Sequence, residues 1–130
     1  MIRFKNKRSS KPKRILILGS SGIISQNLQE ILHQNSYKFK VVGSSKINLK
    51  KKNAHFFLRK IIKKRDIVVF LSSEAPVKTT SALINNLEMC RSVYDGIDAK
   101  IISQLIYISS DAVYSDLKNK ISEKSPANPS

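Results

Sequence analysis

The sequence predicts a parallel α/β sheet with helices on both faces. Three observations carry that expectation. Residues 15–18, 67–71 and 104–108 form short runs of mostly aliphatic residues, which read as strands, the first two of them buried as in a parallel sheet. The segments between the runs place apolar residues at helical spacing, as in Ile24, Leu28, Ile31 and Leu32. A Gly19-Ser20-Ser21-Gly22 break separates the first run from the first such segment. Strand and helix in alternation imply parallel pairing with right-handed connections. At 130 residues there is chain for one domain.

Residues 1–13 are a basic arm, expected to be flexible, and the folded domain is expected over 14–130. The first strand spans 14–18. Gly19 suits a turn that a side chain would strain, and Gly22 allows close approach to a ligand. A helix over residues 23–34 starts there, offering unpaired N–H groups and a positive dipole end to an anion. A strand, a glycine turn and a helix in this order form the entry to a dinucleotide-binding βαβ unit. Gly19, Ser20, Ser21, Gly22, Ile23 and Ile24 are therefore the expected pyrophosphate cradle. The pattern is Gly-x-x-Gly-x-x-Ser, with Ser25 where a third glycine often sits.

A second strand is expected over 39–43. In this fold the end of that strand meets the adenosine ribose. An acid there favours NAD, and a basic residue accommodates the 2′-phosphate of NADP. Ser44, Ser45 and Lys46 include no acid, so NADP is slightly favoured over NAD. Residues 47–49 read as a short third strand. A helix over 53–64 follows, with Ala54, Phe57, Leu58, Ile61 and Ile62 at helical spacing. Asp66 leads into the strand 67–71. Ser72 and Ser73 follow it directly, small enough for a ligand to lie against the sheet edge. A long helix over 79–94 is expected to turn Leu83, Leu87, Cys90 and Tyr94 inward. Asp95-Gly96 marks its stop. The strand 104–108 is the fifth, and a polar loop with prolines closes the chain.

The chain resembles the N-terminal part of an extended short-chain dehydrogenase/reductase, of the NAD-dependent epimerase/dehydratase family that modifies nucleotide sugars. Gly19, Gly22 and Ser25 occupy the family's glycine motif, departing at its third position. Asn48-Leu49 is similar to its Asp-Leu pair at the adenine, and Asn48 keeps a carbonyl acceptor. Leu71-Ser72-Ser73 corresponds to Leu-Ala-Ala beside the cofactor, and Asn86 to a helix asparagine. Ser109-Ser110-Asp111-Ala112-Val113-Tyr114 resembles Ser-Ser/Thr followed by Val-Tyr-Gly. Glu123, Pro126 and Pro129 look like the loop that leads to the family's Tyr-x-x-x-Lys.

The resemblance implies a Rossmann-type three-layer sandwich with about five strands, the C-terminal strands and substrate domain lying beyond it. It implies NAD or NADP as cofactor, and a nucleotide sugar as substrate of the complete protein. Ser110, with Asp111 beside it, implies a catalytic contact to the sugar. Ala112 stands where dehydratases carry Glu, which argues against 4,6-dehydration. Tyr-x-x-x-Lys is expected beyond residue 130, so the 130 residues alone are expected to be inactive. Tyr114 and Lys118 match that motif literally, but in a polar loop rather than on a helix.

The net charge of +15 admits a polyanionic partner. The charge runs read more simply as solvated surface. There is no Trp, and the other aromatics fall mostly at expected core positions, which leaves no stacking surface for bases. A basic nucleic-acid-binding protein on this fold is the alternative reading, and nucleic acid is not the expected partner. One cysteine and two histidines give no metal cluster. Cys90 is expected to be a small buried residue. No apolar run reaches membrane length, and the basic arm lacks the apolar core of a secretory signal. A cytoplasmic protein without membrane contact is expected. The last strand would leave an open sheet edge for self-association or a second chain.

Overall fold

The computed structural model describes residues 11–110, 113, 114, 121, 122 and 124–127. Seven elements follow in chain order: β1 (Arg14–Leu18), α1 (Ile23–Gln34), β2 (Phe39–Val42), α2 (Ala54–Ile61), β3 (Asp66–Phe70), α3 (Thr80–Gly96) and β4 (Gln104–Tyr107). The strands form one sheet in the order β2-β1-β3-β4, and every pairing is parallel. Ile17 of β1 aligns with Val41 on one side and Val69 on the other. The chain first steps from β1 outward to β2, then crosses back to β3 and on to β4. The reversal falls between β1 and β3, the place where open α/β sheets form their ligand crevice.

Alternation along the strands divides the core between two layers. Leu16, Leu18, Val42, Val68 and Phe70 pack with Leu58 of α2 and with Met89 and Val93 of α3. Ile15, Ile17 and Val69 pack on the other face with Leu32 and Leu28 of α1. Helices therefore cover both faces, as the sequence leads one to expect.

At the base of the sheet Arg14 and Asp66 open two neighbouring strands in register. Both are buried, at 7% and 1% exposure. The Arg14 Nε donates to Asp66 Oδ1 at 2.9 Å, and Nη2 donates to Asp66 Oδ2 and to the Ile61 carbonyl. The Lys63 N–H also donates to Asp66 Oδ2, at 2.8 Å. This shared satisfaction is what a buried pair needs to offset desolvation.

The sheet and all three helices depart from expectation in places. The sheet has four strands among the described residues, because residues 47–49 are not a strand. Ile47 and Leu49 are buried anchors of a loop. The Leu49 carbonyl accepts from the Ser92 hydroxyl at 2.6 Å, where a ladder would have used a neighbouring strand.

The long helix α3 is turned differently. Met89, Ser92, Val93 and Gly96 are its buried residues, whereas Leu83, Leu87 and Tyr94 are 49%, 60% and 83% exposed. The helix carries two stripes. The inner one packs Met89 and Val93 with the sheet residues and is small at Gly96, where α2 approaches closely: a Cβ there would lie 2.9 Å from the Leu58 Cβ.

Cys90 lies on the outer stripe and is exposed. Phe57 of α2 is also exposed, and so is Phe56 beside it. On α1, Leu32 and Ser25 are buried while Ile24 and Ile31 face outward.

Candidate functional site

The C-terminal ends of β1, β2, β3 and β4 gather most of the residues singled out from the sequence. β1 ends at Leu18, and Gly19 follows with φ +116°. A side chain there would be strained, and its Cβ would sit 3.1 Å from both the amide nitrogen and the hydroxyl oxygen of Ser72. The Gly19 N–H donates to the Val42 carbonyl at 2.9 Å, and the Leu71 N–H donates to the Leu18 carbonyl at 2.9 Å. The glycine turn is thus fixed to β2 on one side and to the segment after β3 on the other.

Gly22 is the N-cap of α1, with no side-chain cap and no acid in the first turn. The Gln26 N–H donates to the Gly22 carbonyl at 3.0 Å, so the N–H groups ahead of it have no partner within the helix. Nothing lies within 4 Å of a Cβ built on Gly22. Ser20, Ser21, Gly22, Ile23 and Ile24 are all exposed. The arrangement fits an anionic pyrophosphate: open space, free N–H groups and a helix dipole end.

Ser25 is 2% exposed, and its hydroxyl donates to the Gly19 carbonyl at 2.6 Å. Gln29 Nε2 donates to that hydroxyl at 3.0 Å and reaches the Ser20 carbonyl at 3.4 Å. The departure from a third glycine therefore ties the helix to its own turn.

Gly43 follows β2, and a Cβ there would collide with the Ser20 hydroxyl at 2.3 Å. Ser44, Ser45 and Lys46 are exposed in the turn beyond, which is closed by Lys46 N–H and Ile47 N–H donating to the Gly43 carbonyl. Asn48 is half-buried, and its Oδ1 accepts from the Lys50 N–H at 3.1 Å. Leu49 points into the core and does not line this surface.

Beyond β3, Leu71 and Ser72 are half-buried and Ser73 is exposed. Asn86 holds the next residue from α3. Its Oδ1 accepts from the Glu74 N–H at 2.7 Å and its Nδ2 donates to the Glu74 carbonyl at 3.0 Å. Asn86 thus acts on the 71–74 segment, with both ends of its amide engaged. The Glu74 carboxylate accepts from Lys50 Nζ at 2.7 Å and from Asn85 Nδ2 at 2.9 Å. The Lys50 hydrogen bond, then that from Asn85, hold its carboxyl below the ordinary carboxylate range. Glu74 and Lys50 join the loop that carries Asn48 to the loop that carries Ser73.

β4 ends at Tyr107, paired with Phe70, and the Ile108 N–H donates to the Phe70 carbonyl at 3.3 Å. Ser109 and Ser110 therefore leave the sheet at the same end as Ser72 and Ser73, and both are exposed. Asp111 and Glu123 lie outside the described residues. Tyr114 is half-buried and forms an isolated antiparallel bridge to Ala127. No group of three metal-ligating side chains occurs among the described residues. No helix among them is long and apolar enough to cross a membrane.

Three features escaped the sequence reading. The contact between Gly43 and Ser20 needed the strand order. The bracket formed by Lys50, Glu74 and Asn85 had a faint signal, an acid directly after Ser72-Ser73. Gln29 carried none.

A parallel sheet reversing between β1 and β3, with a glycine turn and an uncapped helix at the reversal, defines the Rossmann class of dinucleotide-binding folds. A model of the NAD dependent epimerase/dehydratase family matches residues 15–130, and the chain belongs to that family. No curated protein sequence matches it.

Among solved structures, it is similar to a short-chain dehydrogenase/reductase superfamily protein from Agrobacterium tumefaciens with bound NAD. The TM-score is 0.67 at 20% identity, over 90% of this chain and 39% of that one. It is also similar to DdhaC, with TM-score 0.65 and 23% identity over 81% of this chain and 32% of the other. A third likeness is to a dTDP-4-dehydrorhamnose reductase from Clostridium acetobutylicum. There the TM-score is 0.63 and the identity 19%, over 89% of this chain and 43% of that one. The chain thus spans less than half the length of each.

Proposed function

We propose that this chain is the NAD(P)-binding domain of an enzyme that epimerises, reduces or dehydrates a nucleotide sugar. The observation that carries the reading is the glycine turn packed against Ser72, with the open N-terminus of α1 beside it. Family membership supports the same class of cofactor. When bound, a nicotinamide dinucleotide supplies a hydride acceptor and donor.

The residues of this chain do the holding. Backbone N–H groups from Ser20 to Ile24 bind the pyrophosphate, at a turn whose Gly19 N–H is held by the Val42 carbonyl. Ser44, Ser45 and Lys46 meet the adenosine ribose, and the lysine favours the 2′-phosphate of NADP. Asn48 offers its amide to the adenine. Leu71, Ser72 and Ser73 form the wall behind the cofactor, and Asn86 fixes that wall through Glu74. Ser110 donates a hydrogen bond to a sugar oxygen, with Asp111 next to it.

The test is titration of the full chain with NADPH and with NADH, followed by nucleotide fluorescence. NADPH should bind more tightly, Lys46→Ala should remove the preference, and Gly22→Asp should abolish both. A folded chain that binds neither dinucleotide would refute the reading.

We also propose that the β4 edge of these residues is open to pairing with a further strand, by self-association or with a second chain. Leu105 and Tyr107 are 44% and 58% exposed there, and residues 104–108 carry no charge or proline to block pairing. Sedimentation of the purified chain would report self-association. A Leu105→Lys variant should dissociate any dimer formed through that edge.

A further inference from the structure

Charge is segregated along this chain. Residues 38–65 hold eleven Lys or Arg and no acid, whereas residues 66–110 hold three Lys or Arg and five acids. All eleven cations of the first segment are exposed. Among the described residues, only Lys50 of the eleven has a carboxylate within ion-pair distance. Arg59 spends its guanidinium on the Asp95 backbone carbonyl.

The cations follow one flank of the domain. Lys38 and Lys40 lie at the outer strand β2, and Lys46 and Lys50 to Lys52 in the loop that leaves its upper end. Arg59 and Lys60 lie on α2, and Lys63 to Arg65 in the turn below it.

Within this flank α2 exposes two aromatic rings at consecutive positions, about 100° apart around the helix. Phe56 is 56% and Phe57 is 47% exposed. The core takes Ala54 and Leu58 from this helix and leaves both phenylalanines outside. The His55 ring lies 4.0 Å from that of Phe56, and Lys60 Nζ lies 5.8 Å from the Phe57 ring centre. The absence of an exposed aromatic platform argued against nucleic acid at the sequence level, and these two rings remove that objection.

Uncompensated cations repel one another and attract an anionic polymer. Exposed rings cost hydration until something apolar and flat covers them. Single-stranded nucleic acid answers both needs, since its phosphates meet lysines while its unpaired bases stack on aromatic faces. A duplex keeps its base faces hidden. An anionic membrane would also attract the charge. However, the apolar stripe of α2 is turned to the core, and two neighbouring rings on eight residues make a narrow membrane anchor. We propose that the flank formed by β2, α2 and their adjoining loops binds single-stranded nucleic acid, with bases stacked on Phe56 and Phe57. The flank shares Lys46 and the loop after β2 with the adenosine end of the proposed dinucleotide site, whereas its two rings lie on α2.

The test uses the full chain and a fluorescein-labelled twelve-nucleotide oligothymidylate, read by anisotropy over a range of salt concentrations. Binding should fall linearly on a log-log plot against salt, with a slope of about −0.7 per phosphate engaged. Phe56→Ala combined with Phe57→Ala should weaken binding by about tenfold or more, since stacking at each base is worth roughly that. Lys51→Glu with Lys52→Glu should weaken binding and flatten the slope. Lys100→Ala, on the other half of the domain, should leave it unchanged. Circular dichroism confirms that each variant is folded.

Three outcomes would overturn the proposal. One is no binding at low salt. Another is binding that ignores the two phenylalanines, or that vanishes only when residues 1–13 are deleted. The third is tighter binding to phosphatidylserine vesicles than to the oligonucleotide, lost in the same Phe variants.

Discussion

The hydroxyl of Ser25 donates to the carbonyl of Gly19 across the turn that separates them, at 2.6 Å. A third glycine would let helix and strand pack closely but would leave that carbonyl without this donor. Here the helix is fastened to the turn by a hydrogen bond, and Gln29 Nε2 backs it by donating to the same hydroxyl. The geometry of the glycine turn therefore depends on Ser25, a residue buried behind it.

Ser25→Ala should destabilise the domain by about 1 kcal/mol, the usual worth of a buried hydrogen bond. NADPH affinity should fall several-fold with it. Ser25→Gly should not restore stability, because glycine within a helix costs about a further 1 kcal/mol. Urea unfolding and dinucleotide titration on the same three proteins decide the matter. Unchanged midpoints would mean that the turn holds itself.

Gly22→Ala separates fold from binding. Gly22 has an extended backbone, φ −74°, and a methyl group there meets nothing within 4 Å. The thermal midpoint should stay within a few degrees of the parent, while NADPH and NADH both bind more weakly. Equal loss of stability and binding would show that the glycine serves the fold.

Gly96→Ala should do the reverse. The added methyl would press on Leu58 at 2.9 Å and on the His55 backbone at 3.3 Å. Forcing α2 and α3 apart should cost about 1–3 kcal/mol, more than alanine's helix propensity returns. Chemical denaturation gives the number, and a stabilised variant would contradict the packing described.

Asp66→Ala should be among the most damaging single changes. It strands the Arg14 guanidinium inside the sheet, with only the Ile61 carbonyl as partner among those described. Breaking one side of a buried ion pair costs about 3–5 kcal/mol. Arg14→Met with Asp66→Leu should recover much of that loss. Urea midpoints of the single and double variants test it.

Glu74 gives the chain an acid-sensitive element. Its carboxyl titrates lower in the folded state than its ordinary value of 4.5, through the Lys50 and Asn85 hydrogen bonds. Its contribution is therefore complete above about pH 4.5 and is lost as pH falls through the lower native value. Glu74→Gln should narrow the stability gap to the parent as the medium is acidified below that point. The gap should be flat from pH 5 to 7, on the order of what a partly exposed ion pair gives. Urea midpoints at each pH measure it.

Much of this architecture can be read from local sequence. Ile15 to Leu18 followed by Gly19 could hardly be anything but a buried strand entering a turn, and every strand pairs in parallel as the alternation implied. The orientation of α3 was beyond such reading. Periodicity marks a stripe through Leu83, Leu87 and Tyr94, but it cannot say which stripe meets the sheet. That choice goes with the packing of Met89 and Val93 on the sheet residues and of Gly96 against Leu58 of α2, partners remote in sequence. Ile47 and Leu49 alternate like strand residues, yet a strand needs a neighbour, and the Ser92 hydroxyl took its place. At the site, Gly19, Gly22 and Ser72 were legible from residue type and position. Lys50 and Glu74 were not, because charges in loops give no clue to which of many opposite charges they will meet.

The pairing of Arg14 with Asp66 bears on the order of folding during synthesis. Arg14 leaves the ribosome first, and Asp66 follows 52 residues later. Until then a nascent β1 can find β2, but drawing both into an apolar interior would strip water from a lone guanidinium. Early collapse around the first two strands is thus penalised, and the sheet closes when its third strand arrives. A refolding chain has both partners present from the start. Growth on the ribosome and refolding from urea should therefore follow different routes to the same sheet.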